Sequence, residues 1–451
     1  MTTFPALRRG LVQFLAVVLL LLLVVIQPVL AGGPILVVGI PPDWNPGVSG
    51  QFWRWNTASA VQYRTDAGNL GADNNAAANT RVQSMFQVWQ DVTTANISYN
   101  RAGALLAATG LAAGADVDTV AEFNAARGSC DAGTQSPIIF DADGTLFTAL
   151  GSDPDVIGFA GPCAADLNGI IASGMSALNG KWIDGNMANG ELTSSEFNGA
   201  FIHEFGHFSG LDHSQANLTC KTSGCADNSD DTIGLPTMFP FVIGDVGGNG
   251  VLEEAPGVAS ISTLAEDDKA WISFLYPETA NNPGNGQVPF SSVYGMLSGL
   301  VLFSDGQSPT QGVNVLARET DNQGTPQDES RRNAVSGVSG VRFTTSVGQT
   351  VSGTNDSGDT FYGSRDAALI GAFEIPVLAD RSYTLEVESI DPDFTGGSGI
   401  NPFIIAPIPM PGTAPGLSGP IEVFPGLTTG VPNIVLVGTD ARYDQFEDVG
   451  P

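Results

Sequence analysis

Three histidines and one glutamate carry the most specific chemistry in this sequence. Residues 203–213 read His-Glu-Phe-Gly-His-Phe-Ser-Gly-Leu-Asp-His, and all 3 histidines of the 451-residue chain fall inside that stretch. His203 and His207 are four apart, so on a helix they sit one above the other and can ligate one ion. Glu204 lies about 100° round the same helix. From there it can reach a water held by the ion without being a ligand itself. Gly210 can adopt a left-handed conformation and end the helix sharply. The chain then turns back, and His213 can offer a third nitrogen. Three protein ligands leave a fourth position open, the arrangement of a catalytic rather than a structural zinc. The expected cofactor is Zn²⁺. Glu204 is the expected general base, passing a proton from water to the leaving group.

These residues need a helix anchored on its opposite side. Thr193 followed by Glu196 fits a capping box, which predicts a helix from Thr193 to Ser209. Phe197, Phe201, Phe205 and Phe208 form an apolar stripe roughly opposite the histidines, so one face enters the core and the other lines a cleft. Upstream, Val82, Met85, Phe86 and Trp89 predict a helix over Thr80 to Val92. Short strands are predicted at Ala60 to Arg64, Asn96 to Tyr99, Ile138 to Phe140 and Gly180 to Ile183. A last helix runs from Thr263 to Leu275. Residues 278–289 are a linker by composition. Beyond them the helical signal ends. Val293 to Phe303, Val313 to Ala317, Ala372 to Ile375, Tyr383 to Ile390 and Asn433 to Val437 predict an antiparallel β-sandwich, with loops at Glu319 to Ser336 and Gly348 to Gly363.

The histidine motif resembles that of the metzincin metalloproteases. Leu235-Pro-Thr-Met238-Phe-Pro240 resembles their Met-turn, which implies that Met238 gives the site a hydrophobic floor and is not a ligand. Pro240, Ser214 directly after His213, and Leu264-Ala-Glu-Asp267-Asp268 with Ile272 and Leu275-Tyr276 are similar to the matrixin branch. Arg54-Trp55 and Phe86 to Val92 fit the start of that domain. The resemblance spans 52–277. It implies an α+β catalytic domain, a twisted mixed sheet with the zinc-binding helix. The segment from His213 to Met238 is longer than in typical matrixins and carries Cys220, Cys225, Asp227, Asp230 and Asp231. No cysteine-switch propeptide is visible. Gly299 to Phe303, Gly312-Val-Asn-Val315, Gly371-Ala-Phe-Glu-Ile375 and Ser382-Tyr-Thr-Leu385 resemble a carboxypeptidase regulatory-like domain. That implies an all-β Ig/transthyretin-like sandwich over 290–440, ahead of an acidic tail at 441–451.

The remaining composition bounds the setting. Lys and Arg total 17 against 47 Asp and Glu, a net charge of −30, so a nucleic-acid partner is excluded for want of clustered basic groups. Residues 1–31 read as a signal peptide: Arg8 and Arg9, an apolar run from Leu11 to Ile26, then Val29 and Ala31 at −3 and −1 of a cleavage site. The expected product is secreted or extracellular, with the periplasm or cell surface as alternatives, free of the membrane once cleaved, and begins with an extended arm at 32–51. Export permits disulfides. Cys220 can close a small loop with Cys225 and Cys130 a longer one with Cys163, though four cysteines allow three connectivities. Asp141-Ala-Asp143-Gly144 resembles the opening of a calcium loop without its closing Glu, a candidate Ca²⁺ site at Asp141 and Asp143. N-x-[ST] sequons stand at Asn96, Asn217 and Asn355. The leading function is a secreted zinc endopeptidase acting on proteins or peptides. The alternatives are a non-catalytic protein whose sandwich binds a surface or matrix component, and a peptidase of very narrow or non-protein substrate.

Overall fold

The structure is a computed structural model that describes residues 33–36, 38, 51–217, 234–239, 262–280, 286–307, 309, 313–320, 324, 327–340, 352–354, 360–362, 371–389 and 420–437. Residues 1–31, expected as a signal peptide, and Cys220, Cys225, Asp227, Asp230, Asp231, Pro240, Asn355 and residues 441–451 lie outside the described residues.

The first unit is a mixed sheet with helices against it. Strands β2 (Val61–Thr65), β3 (Tyr99–Ala104), β4 (Pro137–Asp141) and β6 (Ile170–Asn179) run parallel in the order β3-β2-β4-β6. β1 (Arg54–Trp55) pairs parallel with the start of β6. β5 (Gly158–Ala165) runs antiparallel along β6, from Gly158 opposite Leu178 to Ala165 opposite Ile171. β4 is buried along its whole length, as a strand with parallel partners on both sides requires. β5 pairs only with β6 among the described strands.

Helix α1 (Asn75–Gln90) buries Ala78, Val82, Met85, Phe86 and Trp89, the spacing of a core-facing stripe. It starts five residues before the expected Thr80. The Asn74 side chain caps it by accepting from Ala77 N, and Ala76 to Ala78 are strong helix formers that add nothing to an apolar period. α2 (Val120–Asp131) and α3 (Thr145–Leu150) follow. The Cys130–Cys163 disulfide ties α2 to β5. α4 (Ser194–Phe208) packs on α1: Phe86 and Phe205 stack with ring centroids 3.8 Å apart, and Trp89 Nε1 donates to Ile202 O at 2.8 Å. Phe197, Phe201, Phe205 and Phe208 are all fully buried, each stabilising the fold by roughly 1.5–3 kcal/mol. α5 (Glu266–Leu275) completes the unit.

Two expectations are corrected here. Gly180–Ile183 is a single 3-10 turn rather than a strand. The Asn179 side chain caps it, accepting from Lys181 N, and Gly180 sits so close to the Gly71 backbone that a side chain would collide. β3 begins at Tyr99, where Asn96 to Tyr99 was expected. Asn96 instead donates its N–H to Tyr276 O.

The second unit is built of β strands. One sheet joins β12 (Ala372–Leu378), β7 (Tyr294–Leu302) and β15 (Thr428–Gly430), with β16 (Ile434–Val435) also on β7. The other has the order β14 (Ile421–Val423), β13 (Arg381–Ser389), β8 (Val313–Glu319) and β9 (Val335–Val338). A separate hairpin pairs β10 (Ser352–Thr354) with β11 (Thr360–Tyr362). The expected all-antiparallel pattern fails at one place: β15 and β16 run parallel to β7. Their runs are too short to show alternation, so direction was not readable from the sequence. β9 also extends beyond the expected loop, which reached Ser336.

The two units share one core. A single buried cluster contains Phe86 and Trp271 of the first and Val315, Phe373 and Ile375 of the second. The composition-defined linker follows the same logic. Glu278 N and Val288 N donate to Thr94 O and Thr93 O.

Candidate metal centre

The capping box read from the sequence forms at the start of α4. Glu196 N donates to Thr193 Oγ1 at 3.2 Å, and Thr193 N donates to Glu196 Oε2 at 2.7 Å. At the other end Gly210 takes φ +92°. Gly210 N donates to His207 O and Leu211 N to Gly206 O, both at 2.9 Å, the paired bonds of a Schellman stop. The stop reverses the chain and brings His213 back over the helix.

Three nitrogens converge there. His203 Nε2 lies 3.0 Å from His207 Nε2 and 3.1 Å from His213 Nε2. The outer nitrogens assign the tautomers. His203 Nδ1 meets Thr237 O at 2.8 Å and His207 Nδ1 meets Leu211 O at 2.9 Å. A carbonyl only accepts, so Nδ1 carries the proton and Nε2 presents a lone pair. Burial pushes all three imidazoles toward the neutral form, His203 down to about 4. Neutral lone pairs facing one another at this distance repel unless a cation lies between them. The donor set therefore fits a divalent ion such as Zn²⁺, and the three histidines have the geometry to hold one.

Glu204 is buried beside His203, and burial raises its carboxyl to about 8. Its Oε2 has no partner among the described residues. β5 runs directly alongside: a Cβ added at Gly158 would lie 2.9 Å from Glu204 Cγ. Met238 is buried under the helix, its sulfur filling the space over Gly206, and is no part of the nitrogen cluster.

Asp268 is a supporting residue that the sequence offered only as helix. Its carboxylate accepts from Thr237 N at 2.8 Å and Met238 N at 3.0 Å. It therefore fixes the segment whose Thr237 carbonyl orients His203. The N-terminal arm is the other unforeseen support. Pro34 bridges to Leu211, Ile35 N donates to Gly210 O and Asp212 N to Gly33 O. A Gly- and Pro-rich stretch carries no periodic signal from which such an edge contact can be read.

The Ca²⁺ expectation at Asp141 and Asp143 finds no support among the described residues. Asp141 accepts from Asp143 N and Gly144 N with Oδ1 and from Phe147 N with Oδ2. Asp143 Oδ1 accepts from Thr145 N and Thr145 Oγ1. Both carboxylates serve the turn that opens α3, and the three histidines are the only group of three or more His, Cys, Asp or Glu side chains placed to share an ion among the described residues. The Asn217 sequon is buried, its Nδ2 donating to Gly234 O and Arg331 O, so it offers no glycan site in the folded chain.

No family model matches this chain, and no curated protein matches it. No helix among the described residues is long and apolar enough to cross a membrane.

Proposed function

We propose that the protein is a secreted zinc-dependent endopeptidase of the matrixin-like metzincin kind, with its catalytic domain over 52–277 and a carboxypeptidase regulatory-like β-sandwich over 290–440. The observation that carries this reading is the convergence of His203, His207 and His213 Nε2 beside the buried Glu204 carboxyl, whose Oε2 has no partner among the described residues. A Zn²⁺ ion held by the three histidines would supply Lewis acidity toward a water and the scissile carbonyl. Glu204 takes a proton from the attacking water at Oε2 and returns it to the departing amine nitrogen. Its raised affinity for a proton suits that double duty. β5 supports a peptide substrate. It leaves one edge without a described partner strand and passes Gly158 beside Glu204, where an extended peptide could add as a further strand. Met238 closes the floor below.

The test is metal content and peptide-bond hydrolysis of the chain from residue 32, wild type beside Glu204→Gln. Equal zinc in both, with turnover lower in the variant by about 10²–10⁴-fold, is the expected result. Equal turnover would remove Glu204 from the chemistry. Absence of bound zinc in the wild type would sink the reading as a whole.

A further inference from the structure

We propose that the C-terminal β unit is a working part of the metal centre: Ser336, Asn314 and Arg318 position His213 by gripping the four residues that follow it. The proposal rests on the metal reading of the three histidines. Its starting point is an asymmetry among them. The rings of His203 and His207 are each oriented by a backbone carbonyl. His213 Nδ1 is buried with no hydrogen-bond partner among the described residues. Its aim therefore depends on where its backbone is held.

That backbone leads straight into the β unit. Ser214, Gln215, Ala216 and Asn217 are all fully buried. Gln215 N donates to Ser336 Oγ at 3.2 Å, and Ser214 Oγ lies 3.3 Å from the same oxygen. Asn314 Nδ2 donates to Gln215 O at 3.3 Å. Ala216 packs against Leu316 and Ala334. Arg318 donates from Nη1 to Asn217 Oδ1 at 3.0 Å. Each residue of the strap thus meets β8, β9 or the turn between them. Ser336 is itself fixed from the first unit: its N–H donates to Asp267 Oδ1 at 2.6 Å, and its carbonyl accepts from Trp271 Nε1 at 2.8 Å. The first unit's own hold on the strap includes Ser214 N to Met238 O and Asn217 Nδ2 to Gly234 O. A ligand on a turn keeps its geometry only if surrounding contacts remove the turn's freedom. Here the second unit supplies a large share of them.

The experiment uses the full chain from residue 32, as wild type, Ser336→Ala, Asn314→Ala, the double variant, and Ile434→Ala as a control. Ile434→Ala opens the core of the same β unit away from the strap. Zn²⁺ affinity is measured by competition with a chromophoric chelator, and Co²⁺ is substituted to read the ligand field in the visible spectrum. The double variant should bind Zn²⁺ about 10–100-fold more weakly, the loss expected when outer support of a ligand is removed. Its Co²⁺ band should weaken and recover with added imidazole, which replaces the displaced ring. Ile434→Ala should lower the melting temperature and leave affinity and spectrum unchanged. Wild-type affinity in the double variant, or an equal loss in Ile434→Ala, would overturn the proposal while leaving the metal reading intact. Failure of the wild type to bind Zn²⁺ or Co²⁺ would overturn both.

Discussion

The helix that carries His203 and His207 and the turn that carries His213 solve the same positioning problem by different means. On α4 the two ligands are four residues apart, so helical geometry alone brings them together. The helix is held by a capping box, four buried phenylalanines and the stack of Phe205 on Phe86. The turn has no such repeat. It depends on the left-handed Gly210, on the arm at 33–35, on Met238 O, and on β8 and β9 of the second unit. Local periodicity fixes two ligands; the third is placed by contacts remote in sequence.

Ligand deletions test that difference with the largest effect. A four-ligand zinc site is worth roughly 10–16 kcal/mol, so one ligand carries about 3 kcal/mol, or two orders of magnitude in affinity. His207→Ala should exceed this, because it also strips Leu211 O of its donor and loosens the turn ahead of His213. His213→Ala should lose about a hundredfold, since both helix ligands keep their register. Zinc titration of the two variants checks the order. Equal losses would mean that the turn needs nothing from the helix ring.

Two glycines separate packing from backbone strain. A Cβ at Gly206 would collide with Met238 Sδ and lie 2.9 Å from Trp89 Cζ2. Gly206→Ala should therefore destabilise by about 1–3 kcal/mol through overpacking. In a Met238→Ala background the same substitution should cost clearly less, because the sulfur it strikes is gone. Denaturant unfolding of the four proteins reads the coupling. At Gly210 the nearest atom to an added Cβ is Trp53 O at 3.4 Å, so space is adequate and only the φ of +92° objects. Gly210→Ala should cost about 1–2 kcal/mol, and Gly210→Asn less, since Asn tolerates left-handed backbone. Equal unfolding midpoints for the two Gly210 variants would show that the turn is not held by its dihedrals.

The same contrast explains what was legible in the sequence. The helix half of the site could be read outright: Thr193, Glu196, His203, Glu204 and His207 lie within one run whose periods and caps are local. The β2 strand and most of β7, β8 and β13 were legible from apolar runs. β6 escaped, because Ile170 to Asn179 mixes small residues with few large ones and gives no alternation. Gly180 to Ile183 misled, because an Asn179 side-chain cap looks no different from a strand flank. Asp141 and Asp143 were ambiguous from the sequence. Carboxylates beside a glycine fit a metal loop and a helix-opening turn equally well, and only the bonding partners separate the two. Above all, Ser336, Asn314 and Arg318 carry no signal. Nothing local marks a serine in a β-strand as the partner of a backbone amide 121 residues away.

The smallest expected effect is a pH dependence confined to the turn side. Asp267, in the first turn of α5, is buried against Ser336. Burial first, and the neighbouring Asp268 charge second, raise its carboxyl to about 7. Burial raises Asp268 to about 6. Unfolded, both titrate near the ordinary carboxylate value of about 3.9. Between about pH 4 and pH 7 the folded state thus holds protons that the unfolded state has released. Stability from these groups is full below about pH 4 and is lost as the pH rises through 7. Asp267→Asn keeps an oxygen to accept from Ser336 N and cannot ionise. The metal-free variant should therefore show a shallower fall in melting temperature from pH 5 to pH 7.5 than the metal-free wild type. The two should converge only below about pH 4, where the aspartate is protonated in the folded and the unfolded chain alike. If the slopes are identical, Asp267 is already ionised in the fold, and the seam it shares with Ser336 holds the strap by charge rather than by neutral hydrogen bonds.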